Sequence, residues 1–358
     1  MDEEIKVELA GTPFAPSKLR PLTGGTANFI YHAVLNQPLP DGTTEVAIKH
    51  GEGYIASQPD WKLSTSRCGI EEECLRLLAG LPACVTSGCT VSTPKLYSYD
   101  PQTHTQVQEY LPNAANLKQY SLDRYKAPTP SSLEPQCLQL GQCLGQWLQS
   151  FHEWSRQPDH ASFRQAVSRN KDLQLLKHMI NYQTLPQKAE QHPQIMGDVK
   201  DILLQISEAT TAELQDETKL EVIHGDFWTG NVLLPIESSG KISVKIIDWE
   251  MAQLGLRPVD LGQFIAELWQ LKLYKDIEAA VWMIKGFVQG YGKLEPDFAF
   301  RVLLHVGAHL VCFGSTTPGW GTAEQQAQVL KTGKDLLVKS WGKDRAAFDG
   351  HDLECLFS

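Results

Sequence analysis

The 358-residue chain has no CxxC pair, no excess of positive charge, no internal repeat and no long apolar run. Each absence removes a class of protein. The eight cysteines (Cys68, Cys74, Cys84, Cys89, Cys137, Cys143, Cys312, Cys355) read as reduced thiols, several on apolar helix faces, in preference to a disulfide framework. With 32 Lys and Arg against 42 Asp and Glu, the formal net charge is -10, which argues against a broad nucleic-acid footprint. The longest apolar stretch, "VLLHVGAHLVCFG" (302–314), is too short to span a bilayer and contains His305 and His309. The segment "MDEEIKVELAG" is acidic and lacks an apolar core, so no secretory signal is expected. A cytoplasmic protein without membrane or nucleic-acid partners is the expectation.

What is present divides by period. Residues 1–115 are β-rich: "FIYHAVL" (29–35) and "TEVAIKH" (44–50) read as strands around the turn "NQPLPDG". "RCGIEEECLRLLAGL" (67–81) reads as a helix closed by Gly80 and Pro82, and "PKLYSYD" with "THTQVQEYL" as a hairpin. Beyond residue 130 the period is helical, with Cys137, Gly141, Leu144, Leu148 and Phe151 on one stripe. An irregular Pro- and Gln-rich stretch is expected over 155–194, then a helix near 195–214. A second hairpin, ending in "KISVKIIDWE" after the turn "ESSG", precedes helices at 259–273, 276–291, 297–313 and 323–341. The expected fold is α+β and two-lobed, with a small β-rich lobe (1–112) and a large helical lobe (113–358).

The chemistry concentrates in "VIHGDFWTGNVLL" (222–234), where Asp226 and Asn231 interrupt two apolar strand segments within a glycine-bearing loop. "KIIDWE" then ends a strand on Asp248 and Glu250. If that segment stays extended, positions i and i+2 face one way, and both carboxylates join Asp226 and Asn231. Such a set of hard oxygen atoms suits Mg²⁺ held together with substrate phosphates. Upstream, Gly24 and Gly25 allow backbone N–H groups close to a phosphate, and Lys49 lies on a strand between apolar neighbours. Its partner carboxylate is expected from the following helix. Glu71 shares the inward stripe with Leu75 and Leu78, with Glu72 and Glu73 as alternatives.

Gly-rich turn, strand lysine, helix glutamate, linker, Asp/Asn loop and metal Asp follow the order of kinase-type phosphoryl transfer. "HGDFWTGN" resembles the catalytic loop of the aminoglycoside phosphotransferase and choline kinase-like superfamily. "IIDWEMAQLGLRPVDLGQFIAELW" is similar to methylthioribose kinase-like fungal small-molecule kinases, which use Asp-x-Glu there. The resemblance covers roughly residues 20–340 and implies a protein-kinase-like fold and ATP-dependent phosphorylation of a small-molecule hydroxyl. It implies that Asp226 orients or deprotonates that hydroxyl and that Asn231, Asp248 and Glu250 hold Mg²⁺. Lys49, paired with Glu71, would reach the ATP phosphates under Gly24, Gly25, Thr26 and Asn28, with adenine against the backbone of Glu109 and Leu111. Asp260 would brace the loop as a helix N-cap.

For the acceptor, Trp228, His309 and Trp320 are candidate pocket walls, whereas His152 reads as a core histidine and "HVGAH" lacks the Glu of a zinc motif. A catalytically inactive module of the same fold and a protein kinase are the competing readings. No DFG or APE-type segment follows the loop, which disfavours the protein kinase.

Overall fold

Val46, Ile48 and His50 are buried while their neighbours are half-exposed, the two-residue period of a strand with one face in a core. The structure, a computed structural model, describes every residue except Ser87, Ser238, Ser239 and Pro318. The Ser-Ser of the expected turn at 237–240 therefore lies outside the described residues. By chain contact the molecule divides into two compact units: Met1–Gly80, Thr93–Pro112 and Ile247–Glu250 form the first, and Leu81–Ser92, Asn113–Ile246 and Met251–Ser358 the second.

The first unit is built on a five-stranded antiparallel sheet in the order Pro16–Pro21, Phe29–Leu35, Glu45–His50, Thr105–Glu109, Leu96–Asp100. One face packs Tyr31, Ala33, Val46, Ile48 and Val107 with Ile5 and Leu9. Ile5 and Leu9 come from a helix, Asp2–Leu9, that the sequence reading did not anticipate. Its apolar pair at i, i+4 faces the sheet, and Asp2, Glu3 and Glu4 favour the positive end of the helix dipole. The helix Ser66–Leu78 carries Glu71 into the interior.

The second unit is mainly helical. Its small sheet runs Ala114–Asn116, Val232–Pro235, Ile242–Ile246, Cys89–Ser92, Cys84–Val85. Ile242–Ile246 pairs parallel with Cys89–Ser92. Residues 81–92 therefore belong with the helical unit and 247–250 with the β unit, and a single cut after residue 112 is corrected at both places. The helices Glu134–Ser155 and Ala279–Tyr291 cross at backbone contact. A Cβ on Gly141 or Gly145 would lie 2.2 Å from Met283 O or 2.0 Å from Phe287 O, and one on Gly286 or Gly290 would strike Leu138 O or Gln142 O. The stripe through Gly141 thus marks a helix crossing that no larger residue permits.

Two expectations need correction. The stretch 155–194 is helical, with Ala161–Ser168, Lys171–His178, a π-helical turn at Met179–Gln183, Leu185–Gln191 and Pro193–Met196. Its prolines Pro186 and Pro193 stand in first turns, where a missing N–H costs nothing, so they begin helices and do not break them. The apolar run near 302–314 is part of a longer helical stretch, Pro296–Gly314, whose 19 residues are long and apolar enough to cross a membrane. Of its most apolar window, 78% is buried inside the protein, as in a core helix.

His178 is buried beside Thr211, with Nε2 and Oγ1 3.0 Å apart. Burial, aided by the Arg301 charge, pushes its imidazole from 6.5 down to about 4. The folded state thus resists a proton that the unfolded chain accepts, so stability falls as pH drops through 6.5 toward 4. His178→Gln should shallow that fall by on the order of 1–3 kcal/mol at the acid end, read from thermal melts across the window. An unchanged slope would mean that His178 is not the group responsible.

Candidate active site

In the first unit, the strand alternation turns Lys49 inward, opposite Ile30 and Gln106. Its Nζ lies 2.6 Å from Glu71 Oε2, 2.5 Å from Asp248 Oδ1 and 3.8 Å from Glu250 Oε2. Glu71 is therefore the helix acid that meets Lys49, whereas Glu72 pairs with Arg76 on a more open face. Glu71 also accepts from Trp249 N (3.2 Å) and Gln106 Nε2 (3.3 Å). The extended-strand argument for Asp248 and Glu250 is corrected. The strand stops at Ile246, Asp248 takes a left-handed φ of 67°, and Trp249–Met251 forms a 3-10 turn. The turn, not a two-residue alternation, brings the acids together. A non-glycine residue at this φ is held there by its surroundings, here Lys49.

Carboxylate oxygens of Glu71, Asp248 and Glu250 all lie within 4.8 Å of one another. Burial favours a neutral Lys49, yet Asp248, Glu71 and Glu250 keep its ammonium well above the ordinary lysine value. Burial pushes Glu71 up and Glu250 up to about 7, against the pull of Lys49. The sequence reading missed Arg67, which is fully buried. Its Nε is 3.3 Å from Glu250 Oε2, an ion pair without an aligned hydrogen bond, and its Nη2 donates to Asn28 Oδ1 at 2.9 Å. Asn28 in turn donates to Glu250 Oε2 at 2.7 Å. The Asn28 side chain is thus committed to the acidic cluster, so a phosphate contact at this position would use its backbone. Gly24, with φ 109°, Gly25 and Thr26 form the exposed turn before the strand Phe29–Leu35. Glu109 closes the strand Thr105–Glu109 and gives its N–H to Lys95 O at 2.8 Å. Leu111 lies in the irregular segment that follows.

In the second unit, the strand Glu221–Ile223 delivers the chain to His224, Gly225 and Asp226. Gly225 has φ 77°, and a Cβ there would lie 2.2 Å from Met251 O, so only glycine fits the turn. Asp260 accepts from His224 N (2.8 Å) and Gly225 N (3.0 Å), with His152 Nε2 at 3.2 Å. It braces the loop as expected, but from inside the first turn of the helix Pro258–Lys275. Arg257 holds the N-cap, so the expected capping role is corrected. His152 is buried and also meets Tyr291 OH at 2.9 Å.

Asp226 Oδ1 accepts from Gln263 Nε2 (2.8 Å) and Lys177 Nζ (3.2 Å), and Oδ2 from Asn231 Nδ2 (3.1 Å). Burial pushes its carboxyl up, but Lys177, Gln263 and His224 outweigh that and hold it below the ordinary carboxylate value. An ionised, oriented carboxylate of this kind can receive a proton from a hydroxyl. Asn231 also donates Nδ2 to Asp226 O (3.0 Å), which leaves Oδ1 as its ligand-capable atom. Lys177 was missed because its stretch was read as irregular. Gln263 had a signal: it shares one helix face with Asp260, Glu267 and Gln270 in an otherwise apolar segment.

The three candidate pocket residues also meet in this unit. Lys118 Nζ lies 4.2 Å from the Trp320 ring centroid, 5.2 Å from that of Trp228 and 3.4 Å from Glu267 Oε2. His309 Nε2 lies 2.8 Å from Glu267 Oε1. A Cβ on Gly230 would sit 2.3 Å from the Trp228 ring, so this glycine makes room for the indole.

A buried lysine among carboxylates and a braced aspartate loop, on a kinase-like α+β fold, define a small-molecule kinase. Residues 40–296 match the phosphotransferase enzyme family, and the chain belongs to it. It is 30% identical to phosphotransferase FrzJ of a Cladobotryum species, over 94% of this chain and 91% of that protein. It is 25% identical to the 4-hydroxytryptamine kinase of Psilocybe cyanescens, over 90% and 87%. Among solved structures, the fold is similar to that of amicoumacin kinase hAmiN in complex with AMP-PNP, Ca²⁺ and Ami. There the TM-score is 0.52 at 13% identity, covering 96% of this chain and 94% of that one.

Lys177→Met should lower turnover roughly tenfold or more with little change in nucleotide affinity, because it removes the charge that steadies Asp226. Steady-state kinetics with a nucleotide-binding titration checks this, and wild-type turnover would show that Lys177 is a packing residue.

Proposed function

We propose that the protein transfers the γ-phosphoryl group of ATP to a hydroxyl of a small-molecule acceptor. The observation that carries this reading is the meeting of Lys49, Glu71 and Asp248 through contacts of 2.5–2.6 Å. A lysine kept charged while buried is a preorganised partner for phosphate oxygens, and Glu71 fixes its direction. The exposed turn at Gly24, Gly25 and Thr26 offers backbone N–H groups to the same phosphates, and the backbone of Glu109 and Leu111 offers contacts to adenine.

The donor set fits Mg²⁺: hard carboxylate oxygens, three acids against two bases, close enough to share one ion. Asp248 and Glu250 would hold it. Glu250 is steadied through Oε2 by Asn28 and Arg67. When bound, the ion supplies charge neutralisation to the phosphate oxygens. Asn231 Oδ1 is a further oxygen of the same ligand type.

On the second unit, Asp226 takes the proton of the acceptor hydroxyl. Lys177 and Gln263 fix Oδ1, Asn231 fixes Oδ2, and Asp260 holds the loop backbone. A hydroxyl acceptor is consistent with the name of the Psilocybe relative, a 4-hydroxytryptamine kinase.

Asp226→Asn should reduce kcat by on the order of 10²–10⁴ while nucleotide still binds. ADP release in a small-molecule screen is the assay, and near-wild-type turnover by the folded variant would refute the role. Asp248→Ala should abolish metal-dependent nucleotide binding, with Glu250→Ala weakening it less. Magnesium titrations separate the two, and an unchanged response in Glu250→Ala would make that residue structural. Lys49→Ala and Glu71→Ala should each raise KM for ATP, and the double variant should be little worse than either single one. Additive losses would mean that the pair does not act as a unit.

A further inference from the structure

Lys118 is held unlike the other inward lysines. Lys49 faces three carboxylates, and Lys177 has both Asp226 and Gln263. Lys118 uses one of its three donors, in a single 3.4 Å contact with Glu267, and its side chain is 21% exposed against 11% for each of the others. It also stands in the first turn of the helix Leu117–Arg124, where the helix dipole disfavours a cation.

The surroundings, by contrast, are firmly made. Glu267 takes both of its fixed bonds, from His309 Nε2 (2.8 Å) and Gln270 Nε2 (3.2 Å), on Oε1, which leaves Oε2 turned to the cation. The His309 ring stacks on Phe313 at 4.9 Å. Trp320 is backed edge-on by Tyr274, whose hydroxyl is tied to Gly314 O at 2.7 Å. Two indoles and one buried carboxylate oxygen are the elements that recognise an ammonium ion, by cation–π attraction and a charge-assisted hydrogen bond.

We propose that this cage is the acceptor's ammonium subsite and that the Lys118 side chain is its intramolecular occupant, swinging out when an amine arrives. The proposal rests on the kinase reading above and narrows its acceptor to an amine-bearing alcohol or phenol. The position follows from one helix. Gln263, in contact with Asp226, and Glu267, in contact with the cation, are one turn apart on Pro258–Lys275. One turn rises about 5.4 Å, so the reacting hydroxyl and the ammonium should be separated by roughly 5–7 Å. Lys118 thereby acts as a threshold: a ligand must bring a cation that competes with it, and a neutral alcohol brings none.

The test is calorimetric binding of n-butylammonium to the full-length protein without nucleotide, beside neutral 1-butanol. Wild type should bind the cation in preference to the alcohol. Lys118→Met should bind it roughly tenfold tighter because the internal competitor is gone, and Glu267→Gln roughly tenfold weaker. Should Glu267→Gln fail to fold, Lys118→Met alone decides, since Lys118 is partly exposed. Equal or weaker cation binding by Lys118→Met, or alcohol binding as tight as amine binding, would overturn the proposal. Failure of the kinase reading is seen separately, as absence of ATP turnover with every hydroxyl compound, because the binding measurement contains no ATP.

Discussion

The Lys49 ammonium, buried among Glu71, Asp248 and Glu250, is the interaction on which the first unit depends. A buried charge is tolerated only when paired and hydrogen-bonded, and breaking one partner leaves the others uncompensated. Here the pairing ties together the strand Glu45–His50, the helix Ser66–Leu78 and the segment Ile247–Glu250, which are far apart in sequence. It also explains why Asp248 can keep a left-handed backbone and why Arg67 is fully buried: the third carboxylate needs a second cation. Three carboxylates meet only two cations there, and burial holds Glu71 and Glu250 above the ordinary carboxylate value, a state that a divalent ion would relieve.

The second unit solves a similar problem with backbone amides. Asp260 is buried completely, and it receives two N–H groups of the His224–Gly225 turn. The same helix, Pro258–Lys275, then supplies Gln263 to Asp226 and Glu267 to the Lys118 cage. Asp260, Gln263, Glu267 and Gln270 fall at three- and four-residue steps, so one face of one helix carries the loop brace, the acid's partner, the cage carboxylate and its support. That helix is buried on all sides from Pro258 to Leu271, and its first turn is fixed by the loop it braces.

Much of this was legible from residues alone. The glycine-bearing loop with Asp226 and Asn231, the strand lysine, the inward stripe selecting Glu71 and the late helices are local signals, each set by a period or a turn requirement. Non-local pairing was not legible. Cys89–Ser92 is a short strand whose identity comes from its parallel neighbour at Ile242–Ile246, so the division of the chain could not be drawn correctly as one cut. The stretch 155–194 was read as irregular from its Pro and Gln content, although its prolines occupy helix first turns; with it went Lys177. Asn28 carried a Gly-rich-turn context that pointed to phosphate, and only the arrival of Arg67 and Glu250 commits its side chain elsewhere.

The sequence by itself determined which chemistry-bearing side chains are present and in what order, because that order is a property of the chain. Tertiary structure decided how those side chains are used. The Asp-x-Glu carboxylates converge through a 3-10 turn and a strained Asp248, not through strand alternation. Asp260 acts from within a helix turn and not at its cap, and Trp228 and Trp320 flank Lys118, which meets the same Glu267 carboxylate as His309. The reason is physical: burial, partner and direction of a charged group are set by everything packed around it, and those neighbours come from segments that no local pattern connects.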